Sequence, residues 1–339
     1  PETWQDGLAG LLLVVGHLKY PDVLPDSDIA LVIGSNIILL AAATIVIPLY
    51  GLARRLGGPD LALPLAALGT VLPGLILMSP EFDQLYGTLT AWVFYVALRG
   101  QSAPRHAGLW GLGEGLLLAF GLYWSFGLWV LLIPLVLMAW ATAAGLLGLQ
   151  QTSGGVPGKP VPGRAMIEWL SGLGLGLMLP WGILWGVGGF PLLKVLGMAG
   201  RDHLSGITPI RPFIPWLIFN LVDFFQFVGL PLVMAAILTL VWEPTQSAIS
   251  AARKSNGVVR FLSRLNVLGV LFWITVAGLD LSGTTRAEVG RLWIFLMPIA
   301  LLAIYHAAGR GKLNSEHIHG LLASQFLICL LIGGSWLTP

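Results

Sequence analysis

Phe126–Leu149 reads FGLWVLLIPLVLMAWATAAGLLGL, twenty-four residues without a charged side chain. A helix needs about 20 such residues to cross the hydrocarbon core of a bilayer. The stretch is continuously apolar rather than alternating, which fits a helix and not a barrel strand. In lipid every backbone N–H and C=O must be paired inside the segment, and a helix does this by itself. Pro134 is compatible with that reading, because neighbouring groups can satisfy the carbonyl it frees.

The same pattern recurs along the chain. About ten such stretches are predicted, from Ile29–Ala53 to Ile318–Trp336, with Ile214–Trp242 among them. The 339 residues are 56% hydrophobic and 10% charged, against about 25% charged in ordinary soluble domains. The expected fold class is all-α, a polytopic transmembrane helix bundle forming one domain over 1–339. Gly7–Leu18 is too short to span and is expected to lie at the interface. Gln150–Gly163 (QQTSGGVPGKPVPG) is rich in Gly and Pro and predicts a flexible cytoplasmic loop at about 150–164. The chain opens on Pro1 with no basic leader, so an N-terminally incomplete sequence is expected.

The formal charge of +2 gives no reason to expect nucleic acid as a partner; membrane lipids are the expected surroundings. The distribution of charge is more informative. Twelve of the eighteen Lys and Arg residues fall in one set of loops, including Arg54, Arg55, Arg99, Arg164 and Arg310. The other six include Arg201, Arg211, Arg286 and Arg291. The positive-inside rule puts the first set in the cytoplasm of a multi-pass protein of the inner (plasma) membrane. Asp22, Asp26, Asp28, Glu81, Asp83, Asp202, Asp280 and Glu288 fall with the second set, outside. The single cysteine, Cys329, allows no intrachain disulfide and no thiolate metal cluster.

Polar groups at membrane depth or at span ends are costly, so they are functional candidates. Glu81 and Asp83 stand two apart at a helix start, where they can accept a proton or coordinate a divalent cation. The bland alternative is helix capping. Arg211 can clamp a phosphate through its planar fork. Asn220 and Asp223, three apart, share a helix face that points into the bundle, as ligand groups or as glue between helices. Arg286, Glu288 and Arg291 at the mouth of a later span can hold an anionic headgroup, or simply snorkel beside Trp293. Glu114 lies inside a glycine-rich span and must be paired, protonated or facing a cavity. Glu316, His317 and His319 read as a solvated loop rather than a metal pair. No P-loop, GxSxG, HExxH or Cys/His ligand spacing is present, and no metal site is assigned.

Four segments carry a resemblance. They are Ile47–Gly58 (IPLYGLARRLGG), the acidic turn Ser79–Tyr86 (SPEFDQLY), Arg211–Pro231 (RPFIPWLIFNLVDFFQFVGLP), and Thr285–Trp293 (TRAEVGRLW) followed by Phe295–Pro298. Together they resemble a bacterial branch of the GT-C superfamily of membrane glycosyltransferases, in its polyprenyl-phosphate-sugar-dependent, mannosyltransferase-like group. The resemblance implies a GT-C-like bundle that moves a sugar from a polyprenyl-phosphate donor to an acceptor on the non-cytoplasmic face. It implies Asp83 or Glu81 as the carboxylate that deprotonates the acceptor. Arg211, Arg286 and Arg291 would take the donor phosphate, with Glu288, Asp223, Asn220 and Tyr86 in support. The family's usual base lies in the first external loop, which here means Asp22, Asp26 or Asp28, or a residue upstream of Pro1. The rival reading is a transporter with a midplane polar path through Glu114 and the Asn220/Asp223 face, and a third is a non-catalytic membrane protein. A transferase should gather its polar groups in one cavity at the external interface.

Overall fold

A computed structural model describes residues 25–147, 163–207, 211–240 and 265–337. Among them the chain is 84% helix with no strand. The helices follow as α1 (Pro25–Ala43), α2 (Val46–Leu56), α3 (Ala62–Thr70), α4 (Pro73–Leu77), α5 (Gln84–Ser102), α6 (Ala107–Trp124) and α7 (Leu132–Ala143). After the undescribed stretch come α8 (Gly163–Gly188), α9 (Leu192–Ile207), α10 (Phe213–Val228) and α11 (Leu230–Leu238). The last group is α12 (Val267–Ser282), α13 (Val289–Leu292), α14 (Met297–Gly309) and α15 (Ser315–Leu337). The proposed Gly7–Leu18 helix lies outside the described residues. So does the loop at about 150–164, except Gly163 and Arg164, which open α8.

Hydropathy assigns α14 to the centre. It is apolar on every side, the pattern of a helix with no outward face, and all its residues from Met297 to Ala308 are buried. Helices α2, α3, α5, α11 and α12 pack around it. The outer helices turn large apolar side chains outward: Val187 is 88% exposed, Ile214 74% and Leu63 71%. In water each such side chain forgoes about 1.5–3 kcal/mol of burial, whereas in lipid the arrangement costs little. Among the described residues four helical stretches are long and apolar enough to cross a membrane, Val32–Leu56, Phe126–Ala143, Gly163–Gly188 and Ser315–Gly333. These features identify a helical membrane protein.

Ile214–Trp242, expected as one continuous span, is broken. Helices α10 and α11 meet at 102° across Gly229, and counted as one span they bring the candidates to five. Gly229 has φ +92°, a conformation that L side chains rarely adopt, and Pro231 follows. The Val228 carbonyl freed at the break accepts a hydrogen bond from Gln325 Nε2 at 2.5 Å. A Cβ on Gly229 would lie 2.0 Å from that same nitrogen, so only glycine admits the donor.

Helices α6 and α8 run side by side at backbone contact. A Cβ on Gly111 would stand 2.2 Å from the Trp169 carbonyl oxygen, and one on Gly115 2.3 Å from that of Leu173. Reciprocally, Cβ atoms on Gly172 and Gly176 would meet the Gly108 and Leu112 oxygens at 2.1 and 2.2 Å. Two small-xxx-small stripes thus face each other, Gly111 with Gly115 and Gly172 with Gly176. Within the seam Glu114 is fully buried, and its Oε2 accepts from Trp169 Nε1 at 2.9 Å.

Helix α5 sets the long axis of the site. Asp83 occupies its N-cap position and Arg99 its last turn, about 24 Å apart at about 1.5 Å per residue. The described charges separate accordingly. Asp83, Arg211, Arg286, Glu288 and Arg291 gather at one end, and Arg54, Arg55 and Arg99 at the other.

Candidate functional site

The loop from Gly283 to Glu288 joins α12 to α13. Gly283 ends α12 in the left-handed region, where glycine is the natural C-cap. Ala287 (φ 76°) and Glu288 (φ 57°) also take left-handed backbone, which in non-glycine residues costs on the order of 1–3 kcal/mol each. Such a turn persists only where its surroundings hold it, and helix α10 does so. Asn220 Nδ2 donates to the Thr285 carbonyl (2.9 Å) and to Asp280 Oδ1 (3.0 Å), while its Oδ1 accepts from the Ala287 N–H (3.1 Å). One turn on, Asp223 Oδ2 accepts from the Gly290 N–H at 2.9 Å. The shared face of Asn220 and Asp223 therefore clamps this loop. Gly290 completes the fit, since a Cβ there would strike the Phe227 ring at 2.2 Å.

Two arginines staple the entrance of α10 to the same loop. Arg286 Nη1 donates to the Arg211 carbonyl at 2.6 Å and its Nε to the Gly283 carbonyl at 3.1 Å. Arg211 Nη1 donates in return to the Arg286 carbonyl. Each guanidinium also lies over an aromatic ring, Arg286 over Phe213 at 5.4 Å and Arg211 over Trp216 at 5.8 Å. Arg286 thus has two of its nitrogens engaged by backbone, which makes it a support for Arg211.

The result is a string of alternating charge. Arg291 Nε lies 3.1 Å from Asp83 Oδ2 and its Nη2 3.0 Å from Glu288 Oε2, while Glu288 Oε1 stands 4.0 Å from Arg211 Nη2. Asp83 is the most enclosed of them, its side chain 21% exposed, whereas Arg291 and Glu288 are about half open. Burial pushes the Asp83 carboxyl above its ordinary value; the Arg291 guanidinium pulls it back, and the negative charges of Glu81 and Glu288 push it up again. Glu81 itself is exposed at the rim. The acidic turn is fixed by Gln84 Nε2 donating to the Leu75 carbonyl (2.7 Å) and by Phe82, which packs on Trp124 at 4.8 Å and edge-on to Tyr86 at 5.9 Å.

Beside the string lies a cavity of about 710 Å³. Arg291, Glu288 and Asp223 form its polar side, and Met78, Trp216 and Phe219 its apolar side. Phe219 and Val222, which also lines it, are exposed on the outer face of α10, so the polar end communicates with the surface that meets lipid. An arrangement of this kind can receive a phosphate at Arg291 while an apolar tail lies along α10.

Of the residues expected from sequence, Asp83, Arg211, Arg286, Glu288, Arg291, Asn220 and Asp223 come together directly. Glu81 and Tyr86 flank Asp83. Glu114 is not part of this assembly but sealed between α6 and α8. Asp22 lies outside the described residues, as do the side chains of Asp26 and Asp28. Among the described residues no three His, Cys, Asp or Glu side chains are placed to share a metal ion, so a divalent cation has no three-ligand cage of this type here. Sequence reasoning missed Trp216 and Phe219 as cavity walls; their spacing on α10, three apart, was the available signal. Comparison with protein-family models, with curated proteins and with solved structures returns no match.

Proposed function

We propose that the protein is a membrane glycosyltransferase that takes a sugar from a polyprenyl-phosphate donor and passes it to an acceptor at the Asp83 end of the bundle. One observation carries the reading: Arg291 and Glu288, the middle of the Asp83–Arg291–Glu288–Arg211 string, line a cavity that is also lined by the exposed apolar residues Phe219 and Val222 of α10. A lipid-linked phosphate requires both surfaces in one place. In this reading the chain crosses the plasma membrane about ten times, with the Asp83 end outside.

The chemistry follows from the positions. An acceptor hydroxyl oxygen attacks the sugar C1 as the bond from C1 to the phosphate oxygen breaks. Asp83, the more enclosed carboxylate, takes the hydroxyl proton. The bonding electrons leave with the lipid phosphate, whose growing charge is held by Arg291 and Arg211. Arg286, Asn220 and Asp223 keep the loop and Arg211 in place. Glu81 at the rim is the second candidate base beside Asp83. The transporter reading loses ground because the Asn220 amide is engaged by Asp280, Thr285 and Ala287, one Asp223 oxygen by the Gly290 N–H, and Glu114 is sealed within a helix seam.

The test is transfer from radiolabelled polyprenyl-phosphate sugars by the full chain in vesicles. Activity that Asp83→Asn with Glu81→Gln reduces on the order of 100-fold supports the assignment. Transfer at the wild-type rate by that double variant removes the carboxylates from the reaction, and no transfer from any such donor by the wild type removes the reaction itself.

A further inference from the structure

At the far end of α5 the C termini of three helices, α2, α5 and α14, meet around a second cavity, also of about 710 Å³. Arg54 and Arg55 stand in the last turn of α2 and Arg99 in the last turn of α5, and all three line it together with Tyr50 and Tyr95. We propose that this cavity binds the phosphate group of an anionic bilayer lipid, gripped by the three guanidiniums.

Charge is the first argument. No acidic side chain lines the cavity, and none of the three arginines is in an ion pair among the described residues. Asp60, the nearest acid in sequence, pairs with none of them. Each helix C terminus contributes roughly −0.5 of a charge, so three of them offset about half of the three positive charges. The remainder, about +1.5, is close to the charge that a phosphate monoester carries at neutral pH, about −1.5 to −2.

Preorganisation is the second. The Arg99 guanidinium lies 5.9 Å from the Tyr95 ring centre and 5.5 Å from that of Trp110, so two aromatic faces hold it. Tyr95 in turn rests on α2 at Gly51, where a Cβ would come within 2.2 Å of its ring. Gly51 thereby brings the arginines of α2 and α5 to one cavity. Arginines that merely snorkel extend separately into water; these three line one cavity.

The third argument selects a lipid. Ile47 and Tyr50, 59% and 41% exposed, line the cavity from α2, within the apolar stretch Val32–Leu56. The mouth therefore opens on the surface that meets acyl chains, and an anion arriving there comes with a hydrocarbon tail.

The test uses the purified full chain in a neutral detergent, with bound lipid counted by native mass spectrometry. The probes are dioleoyl phosphatidate, dioleoyl phosphatidylcholine and inorganic pyrophosphate. Phosphatidate is expected to bind roughly tenfold more tightly than the zwitterionic lipid. Arg55→Gln with Arg99→Gln should weaken it by about tenfold or more. Arg54→Gln, a change at an exposed residue that leaves the helix ends packed, should weaken it severalfold. Arg164→Gln, at a surface pair with Glu168, should change nothing. Equal binding by wild type and by the Arg54 and Arg55/Arg99 variants overturns the site. Pyrophosphate binding as tightly as phosphatidate overturns its assignment to a lipid.

Discussion

Arg291 and Asp83 meet at 3.1 Å, and this contact ties the start of α5 to α13, the short helix that leads into the buried helix α14. Because Arg291 is about half exposed, the pair adds about 1 kcal/mol or less to stability. Its value to the proposed transfer would be of another order, since loss of a preorganised charge at a reacting phosphate costs roughly 100- to 1,000-fold in rate. Arg291→Gln is therefore expected to unfold within a few degrees of the wild type while losing transfer. Thermal unfolding and transfer rate, measured on the same vesicles, check this. A parallel loss of both would make the pair structural.

The enclosed carboxylate also sets a pH dependence. Burial raises the Asp83 pKa despite Arg291, and a general base acts only when ionised. Transfer should thus decline as pH falls through that raised value, and recover as pH rises above it. The acid limb is expected above the ordinary aspartate value of 3.8. Residual activity in Asp83→Asn should lose this limb and become flat over the same range. A limb that persists in Asp83→Asn assigns the titration to another group.

Asn220 offers a cleaner separation of support from chemistry. Its buried amide meets Asp280, Thr285 and Ala287 at once, and no smaller side chain can replace the three contacts. Asn220→Ala leaves buried polar atoms without partners, at about 1–3 kcal/mol. It also releases the left-handed pair Ala287 and Glu288. A lower unfolding temperature accompanied by a larger fall in transfer is the expected outcome. Asn220→Asp keeps the acceptor for the Ala287 N–H but sets a second carboxylate against Asp280, 3.0 Å from the lost donor, and should be at least as damaging as the alanine.

The sequence showed the parts of this site more readily than the assembly. Asp83, Arg211, Glu288 and Arg291 were legible because charge at a span end is costly and therefore conspicuous. The face shared by Asn220 and Asp223 followed from helical spacing, but its partner, the loop before α13, did not. That loop turns through left-handed Ala287 and Glu288, and nothing in those residue types announces positive φ. The break at Gly229 was hidden for a similar reason: hydropathy runs unbroken through α10 and α11, while the donor that stabilises the bend, Gln325, lies on α15. Arg54, Arg55 and Arg99 carried a topology signal that obscured their convergence on one cavity.

One seam could have been read directly. Gly111 with Gly115 and Gly172 with Gly176 are small residues four apart on two apolar helices, the pattern that lets membrane helices approach to backbone contact. The expected cost of filling it differs sharply between neighbouring glycines. Gly111→Ala and Gly172→Ala place a methyl group 2.2 and 2.1 Å from carbonyl oxygens that belong to helix backbone and cannot step aside alone. Either change should force α6 and α8 apart and destabilise by about 1–3 kcal/mol. Gly174, on the open side of α8, has no neighbour within 4 Å of its Cβ position. Gly174→Ala should leave stability unchanged or improve it by up to about 1 kcal/mol through helix propensity. Thermal unfolding of the three variants in detergent checks the contrast. The indole of Trp169 supplies a local reporter, because separation of the helices takes it away from Glu114 and shifts its emission. Equal stability of the Gly111 and Gly174 variants would remove the seam from the account of how this bundle is held.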